Sequence, residues 1–454
     1  MSDNTENLKI ENPIAKRIAL KAYCEFASPA LIGSGLCDNT DNDILRDKNG
    51  NSFLPGSTVA GAVNFLVCGI EELFGKPDRI SPLWVYDADL KNTTGERTKI
   101  VELDGVEISK ENKVAIENHK YNYEAVETGT KFTLRFLLTI RERDNGDELE
   151  SQLRKLIGAL KSSGISFGAK TRRGFGAVSC SEAVKQEFDL SKGNPDALAA
   201  LRKWLEFDWD LENERKDQWA PAASEGSTTE MEAIYAELKL DGSIMIRDTQ
   251  NIYEDLPKGA SAPDYMHISS NSEPVILGTS WAGAFRSGLY RLLKQKYPNI
   301  ADEYIKKVFG YVRESIEGST EKAEVSKIVF GASFLTKTDE SVDGYRSITR
   351  VKIDRFTGGA AQGALFTEKP WYGGKTTLEI RYPKDDTAIR ELALLGLDAL
   401  DKGIIQIGGE TSVGRGFFKV LKTTDENGKD VSFIGPKLKL KEALDNNKKA
   451  GESA

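Results

Sequence analysis

Histidine is almost absent from this sequence, which has only His119 and His267 among 454 residues. Histidine-rich metal sites and a Ser-His-Asp relay are therefore poorly supported. The four cysteines contain no CxxC pair, which argues against a zinc ribbon and suits reduced thiols in a cytoplasm. No run approaches the roughly 18–20 apolar residues of a membrane span. The start, MSDNTENLKIENP, is polar and acidic, unlike a secretory signal, so we expect a cytoplasmic protein without a membrane partner.

The net charge of −8 looks unfavourable for a nucleic-acid binder, but its distribution matters more than its total. Residues 186–230 hold eleven acidic and five basic residues, so most of the excess charge lies in this segment. Locally basic surfaces remain possible elsewhere, and the charge does not exclude RNA. The length predicts two or three domains, and 39% hydrophobic residues are enough for proper cores.

The first half predicts the element order β-α-β-β-α-β, the ferredoxin-like arrangement shared with RRM-type RNA binders. Alternating apolar residues predict strands, and helical spacing with Ser57 or Thr58 as a cap predicts the first helix. A charged insertion at Ile100–Glu124 interrupts this order. The predicted elements are strand Arg17–Phe26, helix Val59–Phe74, strands Leu83–Ala88 and Lys131–Ile140, helix Glu148–Lys161 and a strand within Gly164–Cys180.

The second half repeats this order, with its own insertion at Val351–Glu368. STVAGAVN at 57–64 matches TSWAGAFR at 279–286, and we align Arg173-Gly174-Phe175 with Arg415-Gly416-Phe417. The predicted elements are strand Ala233–Leu240, helix Trp281–Tyr297, strands Ile328–Ser333 and Thr376–Tyr382, helix Ile389–Lys402 and a glycine-rich loop within Gly403–Val420.

These features define an α+β fold with two tandem ferredoxin-like units, each with an insertion and a terminal glycine-rich loop. Trp204 and Trp209 suggest that the connector between the units is packed. The predicted divisions are a flexible leader (1–16), a first unit (17–185), an acidic connector (186–230), a second unit (231–421) and a polar C-terminal tail without an evident fold (422–454).

The two glycine-rich loops and the helix starts Leu54-Pro55-Gly56-Ser57 and Leu277-Gly278-Thr279-Ser280 resemble the RAMP superfamily. The closest resemblance is to backbone subunits of type III CRISPR RNA-targeting effector complexes, fused in tandem as in variants similar to subtype D. The resemblance implies that CRISPR guide RNA, complementary target RNA and other subunits of the complex are partners. It also implies that each insertion is a thumb that flips out a nucleotide of the guide–target duplex.

In this family, an aspartate in the loop before the first helix cleaves target RNA with a divalent metal, here expected to be Mg²⁺ or Mn²⁺. The resemblance places Asp41 at that position, fifteen residues before Gly56, and Asp264 fourteen residues before Gly278. Both are predicted catalytic residues and metal ligands of an endoribonuclease. Asp43 competes with Asp41, Asp255 competes with Asp264, and His267 is a neighbour that can act as an acid or base.

The predicted RNA contacts lie at the helix starts and the glycine-rich loops, where amides and cations suit phosphate. Both helices have alanine (Ala60 and Ala282) where the family usually has lysine. More of the predicted binding of the RNA backbone therefore falls to the cations of the glycine-rich loops. The candidates are Ser57, Thr58, Lys170, Arg172, Arg173, Thr279, Ser280, Arg286 and Arg415.

Each candidate has a plainer interpretation, since acidic loops and basic hairpins are often only solvated surface. A non-catalytic guide-RNA scaffold with the same fold is therefore an alternative to the nuclease. A RAMP-type guide-processing endoribonuclease is a third possibility, but such enzymes usually use histidine without a metal. The thumb-like insertions and the full glycine-rich loop in both halves argue against it.

Overall fold

The computed structural model describes residues 12–77, 79–92, 94–108, 115–162, 164–209, 231–249, 252, 262–311, 323–435 and 437–452. Asp255 and most of the predicted leader lie outside the described residues. Within the described part of the chain, no helix is long and apolar enough to cross a membrane.

The first unit is built on a four-stranded antiparallel sheet in the order β3-β7-β1-β8. Helices α1 and α2 pack on one face, where alternate strand residues such as Leu20, Leu134 and Phe136 are fully buried. This confirms the ferredoxin-like prediction. The elements are β1 (Ile14–Phe26), β2 (Phe53–Leu54), α1 (Gly56–Leu66), β3 (Leu83–Val85), β4 (Ala88–Asp89), β5 (Ile100–Ile108), β6 (Ala115–Val126), β7 (Lys131–Arg141), α2 (Gly146–Lys161) and β8 (Val178–Asp189).

The connector carries α3 (Ala197–Leu205), which covers the other face of the first sheet. The ring of Trp204 lies 5.3 Å from that of Phe188 on β8, and Arg17 stacks 4.3 Å above Trp204. Trp209 packs on Tyr86 with ring centroids 5.2 Å apart. Aromatic burial therefore holds the connector on the sheet, as its tryptophans predicted.

The second unit repeats the sheet in the order β15-β21-β9-β22. Helices α4 and α6 cover one face around the fully buried Trp281, Phe285 and Leu397. The elements are β9 (Met231–Asp241), β10 (Ser243–Ile244), β11 (Arg247–Asp248), β12 (Tyr265–His267), β13 (Ser269–Ser270), β14 (Glu273–Ile276), α4 (Gly278–Lys296), α5 (Ala301–Phe309), β15 (Val329–Phe330), β16 (Ser333–Phe334), β17 (Gly344–Tyr345), β18 (Ile348–Ile353), β19 (Ala360–Lys369), β20 (Trp371–Tyr372), β21 (Lys375–Pro383), α6 (Thr387–Asp401), β22 (Phe417–Asp425) and α7 (Leu438–Glu452).

Three predicted boundaries are wrong. Helix α1 ends at Leu66, and only a short 3₁₀ turn at Glu71–Leu73 continues toward the predicted end at Phe74. Strand β1 begins at Ile14, inside the predicted leader. The C-terminal segment is not a tail without a fold, because Leu440 and Leu444 of α7 are buried in the second core.

A third apolar cluster joins the two units. Phe175 of the first glycine-rich loop and Tyr123 of β6 pack in it with Val275 and Leu277, which precede α4. The backbones also approach closely, since a Cβ on Gly174 would lie 2.2 Å from the Phe330 carbonyl oxygen. The first unit therefore contacts the segment at which the second unit begins its first helix.

Candidate functional site

Asp41 is exposed and contacts the hairpin formed by β5 and β6. Its backbone N–H donates to the Asn122 carbonyl over 3.1 Å, and its Oδ2 accepts the Asn122 N–H over 2.9 Å. Asn122 lies on β6, which the chain reaches only 81 residues later. The predicted catalytic carboxylate is thus held beside the predicted first thumb, midway along its hairpin, where Asn122 pairs with Asp104.

Asp43 has a different environment from its neighbour Asp41. Its carboxylate is buried and accepts the backbone N–H groups of Asp38, Asn39 and Thr40 over 2.7–3.0 Å. These donors, the Asn39 N–H first, lower the pKa of the Asp43 carboxyl to about 2. Asp43 therefore shapes the loop, whereas Asp41 points its carboxylate outward, and this contrast favours Asp41 in their competition.

Asp264 repeats the geometry of Asp41 in the second unit. Its backbone N–H donates to the Thr367 carbonyl over 2.8 Å, and its Oδ2 accepts the Thr367 N–H over 2.7 Å. Thr367 lies on β19, the second strand of the β18–β19 hairpin, as Asn122 lies on β6. The structure gives both aspartates the same reciprocal pair of bonds to corresponding hairpins.

His267 does not act beside Asp264. Its side chain is fully buried, and its Nδ1 accepts the Ile246 N–H over 3.0 Å. Burial lowers the imidazole pKa to about 3. A buried imidazole that accepts a backbone N–H fits a structural role, the plainer interpretation of this histidine, and its position gives no support to a role as acid or base.

The helix starts differ between the units in what covers them. Helix α1 begins at Gly56 after Pro55, and Asp87 accepts the Gly56 N–H over 2.7 Å. The N-cap residue is Pro55, so the prediction that Ser57 or Thr58 caps α1 is wrong, and the Asp87 carboxylate binds the first free N–H instead. Ser57 is exposed and Thr58 half-buried, which leaves Ser57 accessible to a phosphate.

Helix α4 begins at Gly278, and the first unit's loop covers this position. A Cβ on Gly278 would lie 2.5 Å from the Arg173 carbonyl oxygen. Contact between the units therefore uses part of the surface that the sequence assigns to RNA. The remaining candidates of this helix, Thr279, Ser280 and Arg286, are half-buried.

The two glycine-rich loops superimpose residue by residue when Gly176 is matched with Gly416. The Phe167 N–H donates to the Gly176 carbonyl over 2.8 Å, and the Ile407 N–H donates to the Gly416 carbonyl over 2.9 Å. Left-handed residues flank the 3₁₀ turn in each loop: Lys170 and Gly174 in the first, Glu410 and Gly414 in the second. The predicted alignment is therefore wrong by two residues, and Arg415 corresponds to Phe175.

The three cations of the first loop have separate roles. Lys170 Nζ lies 3.3 Å from the ring centroid of Tyr123, and burial lowers the pKa of its ammonium group to about 8. Arg172 is half-buried, with Nη1 3.7 Å from Met231 Sδ. Arg173 is exposed. Arg173 is therefore the best placed of the three for a phosphate, whereas Lys170 packs inside the first unit and Arg172 contacts the second.

Arg415 lies inside the second unit and not on its surface. Its side chain is 3% exposed, pairs through Nη2 with the fully buried Glu368, and lies with Nη1 3.0 Å from Glu410 Oε2. A direct contact with RNA would require Arg415 to leave both carboxylates. The RNA contact stays a prediction, but the observed geometry assigns this side chain to an internal ion cluster.

This ion cluster is the feature that the sequence did not indicate. We define it as Arg247, Tyr265, Arg350, Glu368, Glu410 and Arg415. Burial raises the pKa of the Glu410 carboxyl, but hydrogen bonds from Arg247 and Tyr265 and the charge of Arg415 outweigh it, so the pKa lies below its usual value. The signal in the sequence that could have pointed to this cluster was the correct alignment of the two loops, which matches Glu410 with Lys170.

The β18–β19 hairpin has an exposed apolar and cationic tip. Phe356 is 99% exposed and Ile353 53%, and the neighbouring Lys352 and Arg355 are exposed as well. These groups suit insertion between bases and contact with phosphates. The tip of the β5–β6 hairpin, with Lys110 and Lys113, lies outside the described residues.

Neither aspartate lies in a ready-made metal centre. Within the described ranges, no group of three or more His, Cys, Asp or Glu side chains can hold an ion. Asp43 is engaged by its own loop, so Asp41 stands as a single carboxylate. Magnesium in proteins is often held by one or two carboxylates together with substrate phosphates. The described residues therefore form no metal site of their own, and an ion at Asp41 would need oxygen ligands from RNA.

Comparison with known proteins agrees with the repeated fold. The model of the RAMP superfamily matches residues 23–179 and 266–419. These segments cover more than half of the chain, and the chain belongs to the RAMP superfamily. Membership indicates a CRISPR-associated, RNA-binding role. No curated protein matches the chain significantly.

Proposed function

We propose that this chain is a tandem backbone subunit of a type III CRISPR effector complex that binds guide RNA and cleaves guide-paired target RNA. Asp41 and Asp264 each serve one cleavage site. The observation that carries the proposal is the reciprocal bond pair that each aspartate makes with a hairpin strand, to Asn122 in one unit and Thr367 in the other. An exposed carboxylate beside a hairpin is well placed to meet RNA that the hairpin distorts.

The chemistry requires little besides alignment, because RNA carries its own nucleophile in the 2′-hydroxyl group. The Asn122 or Thr367 N–H fixes the rotation of each carboxylate. The carboxylate then accepts the 2′-hydroxyl proton as the 2′-oxygen attacks the adjacent phosphorus in line. The bond from phosphorus to the 5′-oxygen breaks, which leaves a 2′,3′-cyclic phosphate, and the departing 5′-oxygen takes a proton from the solvent to which both aspartates are exposed. The exposed hairpin tip, with Phe356, supplies the displacement that opens the backbone to this geometry. Dependence on Mg²⁺ or Mn²⁺ stays a prediction.

The test is a map of cut positions made by the assembled complex on a target complementary to its guide. We expect Asp41→Ala to remove one cut and Asp264→Ala another, each with at least a 100-fold loss in rate. Asp38→Ala, an exposed acid in the same loop as Asp41, is the matched control and should keep both cuts. If both single variants keep the full pattern, the nuclease proposal fails.

A non-catalytic scaffold of the same complex is the second candidate. The isolated character of both carboxylates favours it, since an exposed lone aspartate also serves as a loop contact with solvent. The same cut map distinguishes the two, because a scaffold gives no cleavage that depends on Asp41 or Asp264. A guide-processing nuclease that uses histidine has less support, because His267 is buried and neutral.

Guide binding is the second part of the proposal, and Arg173 is its best-placed cation. We expect Arg173→Ala to weaken guide affinity and to flatten the salt dependence by about one log unit for the lost phosphate contact. Arg202→Ala, an exposed arginine on α3, is the control. Equal affinity and equal salt slope in the two variants would remove Arg173 from the RNA surface.

A further inference from the structure

The ion cluster lies next to the contact between Asp264 and Thr367, with one member on each of the two strands. Glu368 directly follows Thr367 in β19, and Tyr265 directly follows Asp264 in β12. The two strands pair in parallel with Tyr265 opposite Glu368, and the Tyr265 hydroxyl donates to Glu368 Oε2 over 3.2 Å. The residues next to the proposed catalytic contact are therefore joined to each other.

Arg415 and Arg350 hold Glu368 in this place. Glu368 is 0% exposed, and its Oε1 accepts from Arg415 and lies 2.7 Å from Arg350 Nη2. Arg415 comes from the glycine-rich loop and so connects that loop to β19. A buried carboxylate that loses such a partner is strongly unfavourable, because its charge is left with incomplete compensation.

We propose that Arg415 and Glu368 are positioning residues for Asp264, an inference that rests on the proposed function. They fix the Thr367 backbone, whose N–H orients the Asp264 carboxylate. The first unit does the same with different chemistry: Tyr123 directly follows Asn122, and its ring packs 5.8 Å from that of Phe175, the counterpart of Arg415. In both units, a buried pair of side chains therefore connects the glycine-rich loop to the hairpin: Phe175 with Tyr123 in the first and Arg415 with Glu368 in the second.

The experiment uses the assembled complex with its guide and the variants Arg415→Ala and Arg415→Lys. We expect Arg415→Ala to slow the Asp264-dependent cut at least tenfold and to leave the Asp41-dependent cut, the guide affinity and the salt slope unchanged. Arg415→Lys keeps one ion pair and should recover part of the rate. Arg202→Ala is the control for loss of an arginine. A fall in guide affinity and salt slope would make Arg415 an RNA contact and overturn the proposal.

The first unit supplies a rescue that tests positioning directly. The triple variant Glu368→Tyr, Glu410→Lys, Arg415→Phe installs the counterparts of Tyr123, Lys170 and Phe175. We expect it to recover the second cut relative to Arg415→Ala. If the folded triple variant cuts no faster than Arg415→Ala, the proposal is wrong.

Hydrogen exchange of the peptide containing Thr367 gives a readout that needs no cleavage. We expect Arg415→Ala to speed exchange of the Thr367 amide at least tenfold and Arg415→Lys to restore part of the protection. If wild type makes no second cut, the proposed function fails for this unit, but the exchange rate of the Thr367 amide still tests the positioning role. The same measurement serves if the triple variant does not fold. An unchanged exchange rate in Arg415→Ala would overturn the positioning role.

Discussion

The first unit packs Tyr123, Lys170 and Phe175 at the place where the second unit has Glu368, Glu410 and Arg415. The backbones match, since both loops have left-handed residues at the same positions and both hairpins bond to an aspartate. The surroundings differ. Val275 and Leu277 of the second unit cover the first set. Among the described residues, no atom lies within 4 Å of the place that a Cβ on Gly414, beside the second set, would take. One scaffold is thus stabilised by apolar packing where the other unit covers it and by ion pairs where Glu368 and Arg415 are buried within their own unit.

The largest effect is expected where the apolar set is broken. Phe175 is 1% exposed, so Phe175→Ala removes a fully packed ring and should lower the free energy of unfolding by about 3–5 kcal/mol. Phe356→Ala changes a 99% exposed ring and should alter it by less than about 0.5 kcal/mol. Denaturant unfolding measures both. Equal small losses would mean that the ring of Phe175 contributes no packing between the units.

Gly174 and Gly414 form a matched pair that separates backbone strain from contact between the units. Both have a left-handed φ, +80° and +88°, so alanine costs about 1–2 kcal/mol at either position. Only at Gly174 would the new Cβ meet Phe330, which adds about 1–3 kcal/mol of overpacking. We expect Gly174→Ala to lower thermal stability more than Gly414→Ala. Indistinguishable melting curves would show that the first loop does not press on the second unit.

Lys170 and Glu410 should both make the protein more stable as pH rises, Lys170 at the alkaline end of the scale and Glu410 at the acid end. Burial lowers the folded pKa of Lys170 from 10.5 to about 8, so the unfolded chain binds more protons between these values. Wild type should therefore gain stability relative to Lys170→Met as pH rises from about 8 to 10.5. Thermal unfolding across this range measures the gain, and a constant difference between the two proteins would contradict it.

Glu410 should respond at the acid end. Its folded pKa lies below the ordinary value of 4.5, so its contribution is complete above that pH and is lost as pH falls through the folded pKa. The advantage of wild type over Glu410→Gln should shrink below about pH 4.5. If this advantage were independent of pH, the carboxylate charge would not stabilise the ion cluster.

Local pattern was enough to predict the repeated sheet. The alternation in KFTLRFLLTI became β7, and the order of elements in both units followed from the same kind of signal. Helices α5 and α7 were missed because their stability comes from distant contacts. Tyr304 and Ile305 of α5, and Leu440 and Leu444 of α7, are buried only because other elements of the second core cover them.

The candidate site was predictable only in part. The resemblance singled out Asp41 and Asp264, but the partners that orient them lie 81 and 103 residues later in the chain. Arg415 looked like a surface cation because its local sequence is rich in glycine. Its partner Glu368 lies 47 residues away, so only the folded chain shows that the charge is compensated inside the protein.

Gly278 shows how the contact between the two units limits the substitutions that each unit can accept. The corresponding Gly56 is confined by its own unit, since a Cβ there would lie 2.3 Å from the Val85 carbonyl oxygen. Gly278 is confined twice, by Phe330 of its own unit and by Arg173 of the other. A substitution that shifts the first glycine-rich loop therefore needs a compensating change around Gly278. At this contact, each half of the chain therefore restricts which residues the other half can accept.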